Sequence, residues 1–340
     1  MTVWRPDIDG LRGVAILLVV AFHTAPGIFG SGFIGVDIFF VISGYVITKS
    51  VYESVVCRDF SWWNFFIRRM RRLLPALIFT ISLIMLLAVL LLFGAEVAEL
   101  GEDGLFSIFF LQNFHLMNGS EYFDANWYTN PFQHLWSLAV EEQFYILFAC
   151  LAATSVLCNR PLLIFSALIC AVGFVSLSVL VAYELQGIPT NYYDPSLRLW
   201  EIVAGSATFL LSRQQPGDEC CKLGRELQFY SGLMLICLGL AFTTKGVVPG
   251  LVLLLPILGT ALILLSNNST TGKVLLSNPA IRLVGSISYP WYLLHWPFLS
   301  YYRVVYGVNP EPTSKVLLVS FSFFLALAVT HYVERRRVFR

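Results

Sequence analysis

The chain has 340 residues, of which 57% are hydrophobic and only 13% are charged, and its formal net charge is +1. Because a soluble domain has about a quarter charged residues, this composition excludes a soluble globular protein, and the near-zero net charge gives no indication of a nucleic-acid partner. The apolar residues fall in long blocks, which predicts an all-α integral membrane protein.

Ten apolar blocks are long enough, or nearly so, to cross a bilayer, since a span needs about 20 apolar residues. They predict a polytopic bundle of about ten transmembrane helices that forms one domain over residues 1–340, with no soluble domain. The first block lacks a signal-peptide cleavage site and is interpreted as a retained span. The predicted spans are 10–26, 33–50, 73–93, 137–157, 161–182, 196–212, 229–245, 249–266, 284–305 and 315–333.

A further apolar block, 104–117, has only 14 residues and is too short for a comfortable crossing, so we expect a re-entrant or interfacial segment there. The positive-inside rule supports this expectation. If the block does not cross, every cluster of Arg and Lys falls on the cytoplasmic side together with both termini, and residues 94–136 face outward. These basic clusters are Arg5 with Arg12, then 58–72, 213–225, 273–282 and the tail 335–340.

The first predicted span carries Arg12 and His23 within the stretch DGLRGVAILLVVAFH. Ionisable residues inside a membrane are costly and are functional candidates by default. At ~100° per residue, the eleven positions between them make about three turns plus 20°, so both side chains share one face, roughly 16 Å apart along the axis. Arg12 would lie at the cytoplasmic mouth and His23 near the outer end. The alternative is an arginine that snorkels and a histidine that is simply packed.

Other ionisable residues gather at the ends of predicted spans. FFIRRMRRLLP (65–75) places four arginines at the inner mouth of the third span, where they anchor the helix or bind a phosphate-rich ligand, because guanidinium binds phosphate in a fork geometry. On the outer side, HLWSLAVEEQFY (134–145) places His134 and Glu141 seven positions apart. The further candidates toward the outer side are Asp37, Glu142, Arg198, Glu201, Ser288 and His295.

These candidates suggest a two-sided protein, with arginines at the inner mouth and with carboxylates and His23 in the outer half. A histidine beside carboxylates can act as a general base. Such a protein would take an anionic carrier from the cytoplasm and act on something outside. The structural alternatives are that Arg198 and Glu201, three positions apart, simply pair, and that His295 is packed in the core. No Cys or His spacing is typical of a metal site, so no metal is expected.

The chain resembles the acyltransferase-3 family, the membrane acyltransferases that include bacterial O-antigen and other surface-glycan O-acetylases. The resemblance covers essentially the whole chain, and its motifs occur in the family's order. It implies a ten-helix domain that takes an acyl group, most often acetyl, from cytoplasmic acyl-CoA and delivers it to a hydroxyl of an outer sugar. The motifs are DGLRGVAILLVVAFH, GVDIFFVISGYVI, RRMRRLLPAL, HLWSLAVEEQFY, RLWEIVAG and GSISYPWYLLHWP.

Carried over by position, Arg12 and His23 correspond to the family's paired Arg and His, and Arg69 and Arg72 match its Arg-x-x-Arg element. Glu141 matches the glutamate of its Trp-x-x-x-x-Glu pattern. The resemblance therefore implies that His23 and Glu141 are catalytic, with His23 acting as a base or as a transient acyl carrier. The arginines expected to bind acyl-CoA are Arg12, Arg68, Arg69 and Arg72.

The other polar residues of these motifs are expected to support the reaction. The expected acceptor is a surface polysaccharide, lipopolysaccharide or lipid-linked glycan, and the expected location is the bacterial inner membrane. The alternative function is a transporter of an anionic solute or glycan precursor, which would use the same intramembrane ions without acyl chemistry. The supporting residues are Asp37, His134, Glu142, Arg198, Glu201, Ser288 and His295.

Overall fold

The structure, a computed structural model, describes residues 5–118, 127–214, 222–243, 249–267 and 269–334. Within these ranges every regular element is helical, which confirms the all-α prediction. Short 3₁₀ and π turns connect or extend the α-helices. The helices are α1 (Pro6–Thr24), α2 (Gly35–Val56), α3 (Trp62–Leu91), α4 (Gly94–Ile108), α5 (Gln112–Met117), α6 (Trp136–Val156), α7 (Pro161–Gln186), α8 (Leu199–Ser212), α9 (Lys222–Phe242), α10 (Leu254–Leu265), α11 (Thr270–Leu276), α12 (Pro279–Ser286), α13 (Ser288–Tyr306) and α14 (Pro312–Val329).

Five helical segments of the described chain are long and apolar enough to cross a membrane, and a sixth arises if the bent pair Leu251–Leu265 and Thr270–Leu276 is one span. Each of the ten predicted blocks overlaps a helix, although residues 244 and 245 of the block 229–245 lie outside the described residues. The count of about ten spans and the side on which the termini lie stay predictions. The basic tail 335–340 lies outside the described residues. The five segments are Gly32–Val56, Trp62–Leu91, Gln133–Val156, Pro161–Gln186 and Pro312–Val333.

The short apolar block 104–117 is not one continuous helix. It is divided between α4 and α5, and Phe110 has a positive φ of 57° in the turn between them. The buried Asp103 holds this turn in place by accepting hydrogen bonds from Gln112 Nε2 (2.5 Å) and Asn130 Nδ2 (3.1 Å). Burial raises the pKa of the Asp103 carboxyl, although both hydrogen bonds act in the opposite direction.

The chain divides into two compact units. Unit 1 consists of residues 1–62 and 144–286, and unit 2 consists of residues 63–143 and 287–340. In unit 1, α2 packs along α8, α9 packs along α10, and α1 packs against both α2 and α12. In unit 2, α13 packs on α14 and is hydrogen-bonded to α3.

Two glycines bring α2 and α8 of unit 1 into backbone contact. A Cβ atom on Gly44 would lie 1.8 Å from the carbonyl oxygen of Ile202, and one on Gly205 would lie 1.9 Å from that of Val41. Lipid is as apolar as a helix surface, so helices in membranes associate through this kind of close packing of small residues rather than through the hydrophobic effect. The contact between α2 and α8 therefore depends on both glycines.

We predict that Gly44→Ala destabilises the protein by about 1–3 kcal/mol, because the added methyl group meets backbone atoms that cannot turn aside. Thermal unfolding in detergent measures the effect. Gly224→Ala is the matched control, since nothing lies within 4 Å of a Cβ atom at that helical position. Equal unfolding temperatures for the two variants would show that α2 and α8 are not in backbone contact.

Candidate functional site

Arg12 and His23 both lie on α1, a single unbroken helix of 19 residues. Their spacing therefore places them on one face, as predicted. The His23 side chain is 4% exposed, and its ring lies 5.1 Å from that of Phe22. Arg12 is half-buried. This one helix thus presents an ionisable imidazole buried near one end and a guanidinium about three turns away.

Arg198 lies fully buried in unit 1 between two carboxyl groups. Its Nη2 donates hydrogen bonds to Asp37 Oδ1 and, at 3.2 Å, to Glu201 Oε2, and its Nε lies 2.7 Å from Glu201 Oε1. The guanidinium also lies over the rings of Tyr192 (4.8 Å) and Phe40 (5.6 Å). The structure shows the pairing of Arg198 with Glu201 that the sequence left as the structural alternative, and Asp37 joins it from α2. We call Asp37, Arg198 and Glu201 the buried triad.

In unit 2, Arg69 pairs with two consecutive glutamates of α6. Its Nε donates to Glu142 Oε1 at 3.0 Å and its Nη2 donates to Glu141 Oε1 at 3.2 Å. The Glu142 side chain is 3% exposed, whereas that of Glu141 is 20% exposed. The predicted separation of the arginines from the carboxylates is wrong for Arg69, whereas the side of the membrane on which these residues lie stays a prediction. The reason is that α3 begins at Trp62 rather than near residue 73, so Arg69 lies about two turns inside the helix.

The other arginines of the same motif, Arg68, Arg71 and Arg72, are exposed. Arg68 and Arg72 are four positions apart and therefore share one face of α3. Arg69 is paired with two carboxylates, whereas an anionic ligand can reach Arg68, Arg71 and Arg72 on this helix.

A second group of polar side chains in unit 2 lies between the start of α6 and α13. The hydroxyl oxygens of Ser137 and Tyr292 are 2.6 Å apart, and the Tyr292 hydroxyl donates to the backbone carbonyl of His134 at 2.7 Å. The rings of His134 and His295 are 5.8 Å apart and almost perpendicular, at 81°. We call His134, Ser137, Tyr292 and His295 the polar seam.

Backbone carbonyls fix the tautomers of both histidines in the polar seam. A carbonyl only accepts hydrogen bonds, so His134 Nε2, 3.1 Å from the Leu293 oxygen, carries the hydrogen of the neutral ring. His295 Nδ1 likewise donates to the Tyr292 oxygen at 2.7 Å. His134 Nδ1 is then a buried lone pair, and it has no hydrogen-bond partner in the part of the chain that the structure describes. The buried Ser288 hydroxyl, one turn before Tyr292, is likewise unpartnered among those residues.

The structure thus places most of the predicted site residues in four groups and adds Tyr292, Ser137 and Tyr192, which the sequence does not assign to the site; Arg68, Arg72 and Ser288 lie outside these groups. Tyr292 could have been found, since it lies four positions after Ser288 and three before His295 on one helical face. Ser137 carries no comparable signal, because its partner Tyr292 is 155 positions away. Tyr192 lies only six positions before Arg198, but in the segment that precedes α8, where no helical spacing relates the two. The groups are Arg12 with His23, the buried triad, Arg69 with Glu141 and Glu142, and the polar seam.

No three His, Cys, Asp or Glu side chains within the described ranges are placed to hold a metal ion. The model of a known family, described as an acyltransferase domain of the acyltransferase-3 type, matches residues 5–334. The chain belongs to the acyltransferase-3 family. The resemblance that the motifs indicate is thereby confirmed.

Several relatives match nearly the whole of this acyltransferase-3 chain. It is 30% identical to the putative membrane-bound transacylase BcsY of Komagataeibacter xylinus, over 93% of this chain and 80% of that protein. It is 32% identical to the putative peptidoglycan O-acetyltransferase YrhL of Bacillus subtilis, over 97% of this chain and 54% of that protein. It is 28% identical to the peptidoglycan O-acetyltransferase OatA of Listeria monocytogenes, over 97% of this chain and 55% of that protein.

The chain therefore spans about half the length of YrhL and OatA and most of the length of BcsY. No solved structure matches it.

We predict that Arg198→Met destabilises the protein by about 3–5 kcal/mol, because it leaves two buried carboxyl groups without their cation. The yield of folded protein and its thermal unfolding in detergent measure the loss. Arg160→Met, at an exposed arginine, is the control and is expected to unfold like the wild type. Wild-type stability of Arg198→Met would contradict the ion pairing of the buried triad.

Proposed function

We propose that this acyltransferase-3 protein transfers an acyl group, most often acetyl, from cytoplasmic acyl-CoA to a hydroxyl of a glycan outside the membrane. The observation that carries the proposal is a buried imidazole, His23, on the same helix as Arg12 in a chain of this family. The relatives support an acetyl donor and a cell-surface acceptor, since OatA is named a peptidoglycan O-acetyltransferase. The proposed acceptors are peptidoglycan, surface polysaccharide, lipopolysaccharide or a lipid-linked glycan at the bacterial inner membrane.

His23 is the proposed acid–base group. The acceptor hydroxyl oxygen attacks the thioester carbonyl, the carbon–sulfur bond breaks, and an ester carbon–oxygen bond forms. The hydroxyl proton passes to the imidazole and then to the leaving sulfur, so the histidine is unchanged after each cycle. His23 can alternatively carry the acyl group itself between the two half-reactions.

Glu141 is the proposed second acid–base group of the same reaction. It is 20% exposed and its Oε1 accepts a hydrogen bond from Arg69, so the carboxylate is oriented but still accessible. Glu142, which is 3% exposed, is the more enclosed partner of the same guanidinium. We propose that Arg69 holds both carboxylates in place rather than binding phosphate.

The proposed phosphate contacts are Arg12 on α1 and, considered separately, the exposed Arg68 and Arg72 on α3. Guanidinium groups suit this role because they bind phosphate oxygens in a fork geometry. The ~16 Å between Arg12 and His23 along α1 is within reach of an extended pantetheine arm, so one bound CoA could contact both side chains.

We predict that His23→Ala lowers acyl transfer by roughly 100-fold or more, because it removes the group that moves the proton. The assay follows CoA release and acceptor acylation by the purified protein with acetyl-CoA and a glycan fragment. His331→Ala, at an exposed histidine, is the control. A wild-type rate in a correctly folded His23→Ala protein would refute the proposed role. If the wild-type protein itself releases no CoA from acetyl-CoA, the transporter alternative is favoured.

We predict that Arg72→Gln raises KM for acetyl-CoA about tenfold and leaves kcat unchanged, since a phosphate contact far from the reacting carbon binds substrate and transition state equally. Steady-state kinetics at varied acetyl-CoA measures both constants. Arg160→Gln provides the matched exposed control. A fall in kcat at constant KM would assign Arg72 to the chemical step instead.

A further inference from the structure

The buried triad contains two carboxyl groups, of Asp37 and Glu201, but only one guanidinium, of Arg198. Its two carboxyl groups and one guanidinium all have 0% exposed side chains. With both carboxyls ionised, one positive and two negative charges would leave the triad with a net charge of −1. Removing an uncompensated ion from water is strongly unfavourable. The triad therefore needs another source of positive charge or a proton.

No cation on the described neighbouring helices is among the strongest electrostatic partners of the two carboxyl groups. The strongest electrostatic partners of Asp37 are Arg198 and Glu201, and those of Glu201 are Arg198 and Asp37. Of the helices that pack on α2 and α8, α10 contains no ionisable side chain and α7 has Glu184 as its charged residue. α1 carries Arg12 and His23, but neither is among these strongest partners.

The helix dipoles reduce the cost without removing it. Asp37 is the third residue of α2 and Glu201 is the third residue of α8, so two helix N-termini point toward the triad. A helix N-terminus stabilises a nearby anion, but by less than the cost of burying an uncompensated one. A retained proton is therefore favoured over a second buried negative charge.

The oxygen atoms of the triad are also arranged for a shared proton. Asp37 Oδ2 is buried, and no donor reaches it among the described residues. The carboxyl groups of Asp37 and Glu201 are neighbours, because Asp37 Oδ1 and Glu201 Oε2 accept hydrogen bonds from the same atom, Arg198 Nη2. Two ionised carboxylates cannot bond to each other, because both only accept, whereas one protonated carboxyl donates to the other.

We infer that Asp37 and Glu201 share one proton and that this pair is a proton-exchange site for acyl transfer. The role in transfer rests on the proposed function. In that reaction the acceptor O–H and the thioester C–S bonds break, an ester C–O bond forms, and the leaving sulfur gains a proton. His23 takes the proton of the acceptor hydroxyl and passes it to the pair, and the pair gives a proton to the leaving sulfur, so the protonation of His23 and of the pair is restored after each turnover.

Infrared spectroscopy of the purified full chain at neutral pH tests the shared proton. We expect the carbonyl stretch of a buried carboxylic acid, shifted in D2O, in the wild type. The band should be absent from both Asp37→Asn and Glu201→Gln, since in each variant the remaining carboxylate pairs with Arg198 at net zero charge. Asp103→Asn, which changes a buried carboxyl outside the triad, should keep the band. No such band in the wild type, or an unchanged band in both triad variants, would overturn the inference.

The same variants test the exchange role. Both amides mimic the shape of a neutral carboxyl, so we expect wild-type thermal unfolding and a fall in kcat of roughly 100-fold at unchanged KM. Wild-type kcat in variants that have lost the infrared band would overturn the exchange role. If the wild type itself transfers no acetyl group from acetyl-CoA, the proposed function fails, while the infrared band still decides whether the proton is shared.

Discussion

Unit 1 depends on the ion pairing of Arg198 with Asp37 and Glu201. The three side chains have no exposed surface, and they join the first turns of α2 and α8. Breaking a buried ion pair by removing one partner costs about 3–5 kcal/mol, which is a large part of the 5–15 kcal/mol that stabilises a typical protein. The same two helices are in backbone contact at Gly44 and Gly205.

The same physical constraint separates structural polar groups from functional candidates. Inside a membrane, a buried polar group without a partner is expensive, so most are paired within the protein. Arg198 is paired with Asp37, and Arg69 is paired with Glu141 and Glu142. The Nδ1 atom of His134 has no such partner among the described residues. We expect chemistry or a substrate contact at buried polar atoms that have no hydrogen-bond partner of this sort.

Much of the fold could be predicted from the sequence, because apolar blocks and helical spacing are local properties. Each of the ten blocks overlaps a helix. The shared face of Arg12 and His23 follows from their spacing along α1. The pairing of Arg198 with Glu201 follows from their spacing of three positions at the start of α8. The contacts that organise the site are not local. Asp37 is 161 positions from Arg198, and Arg69 is 73 positions from Glu142.

The start of α3 was not visible in hydropathy for a related reason. Its first turns are rich in arginine and tryptophan, so the apolar block begins about three turns after the helix does. The apolar block places Arg69 just outside a span, whereas in the structure Arg69 lies within α3 and contacts Glu141 and Glu142. Helix ends that are amphipathic rather than apolar need tertiary information, because polarity alone does not distinguish them from loops.

Transfer of acyl groups to an outer glycan is tested most directly by mass spectrometry of ester-linked acyl groups on the surface glycans of cells with and without the gene. Deletion is expected to remove a set of acetyl esters, and reintroducing the intact gene is expected to restore them. Surface glycans with the same ester content in both strains would contradict the proposed function.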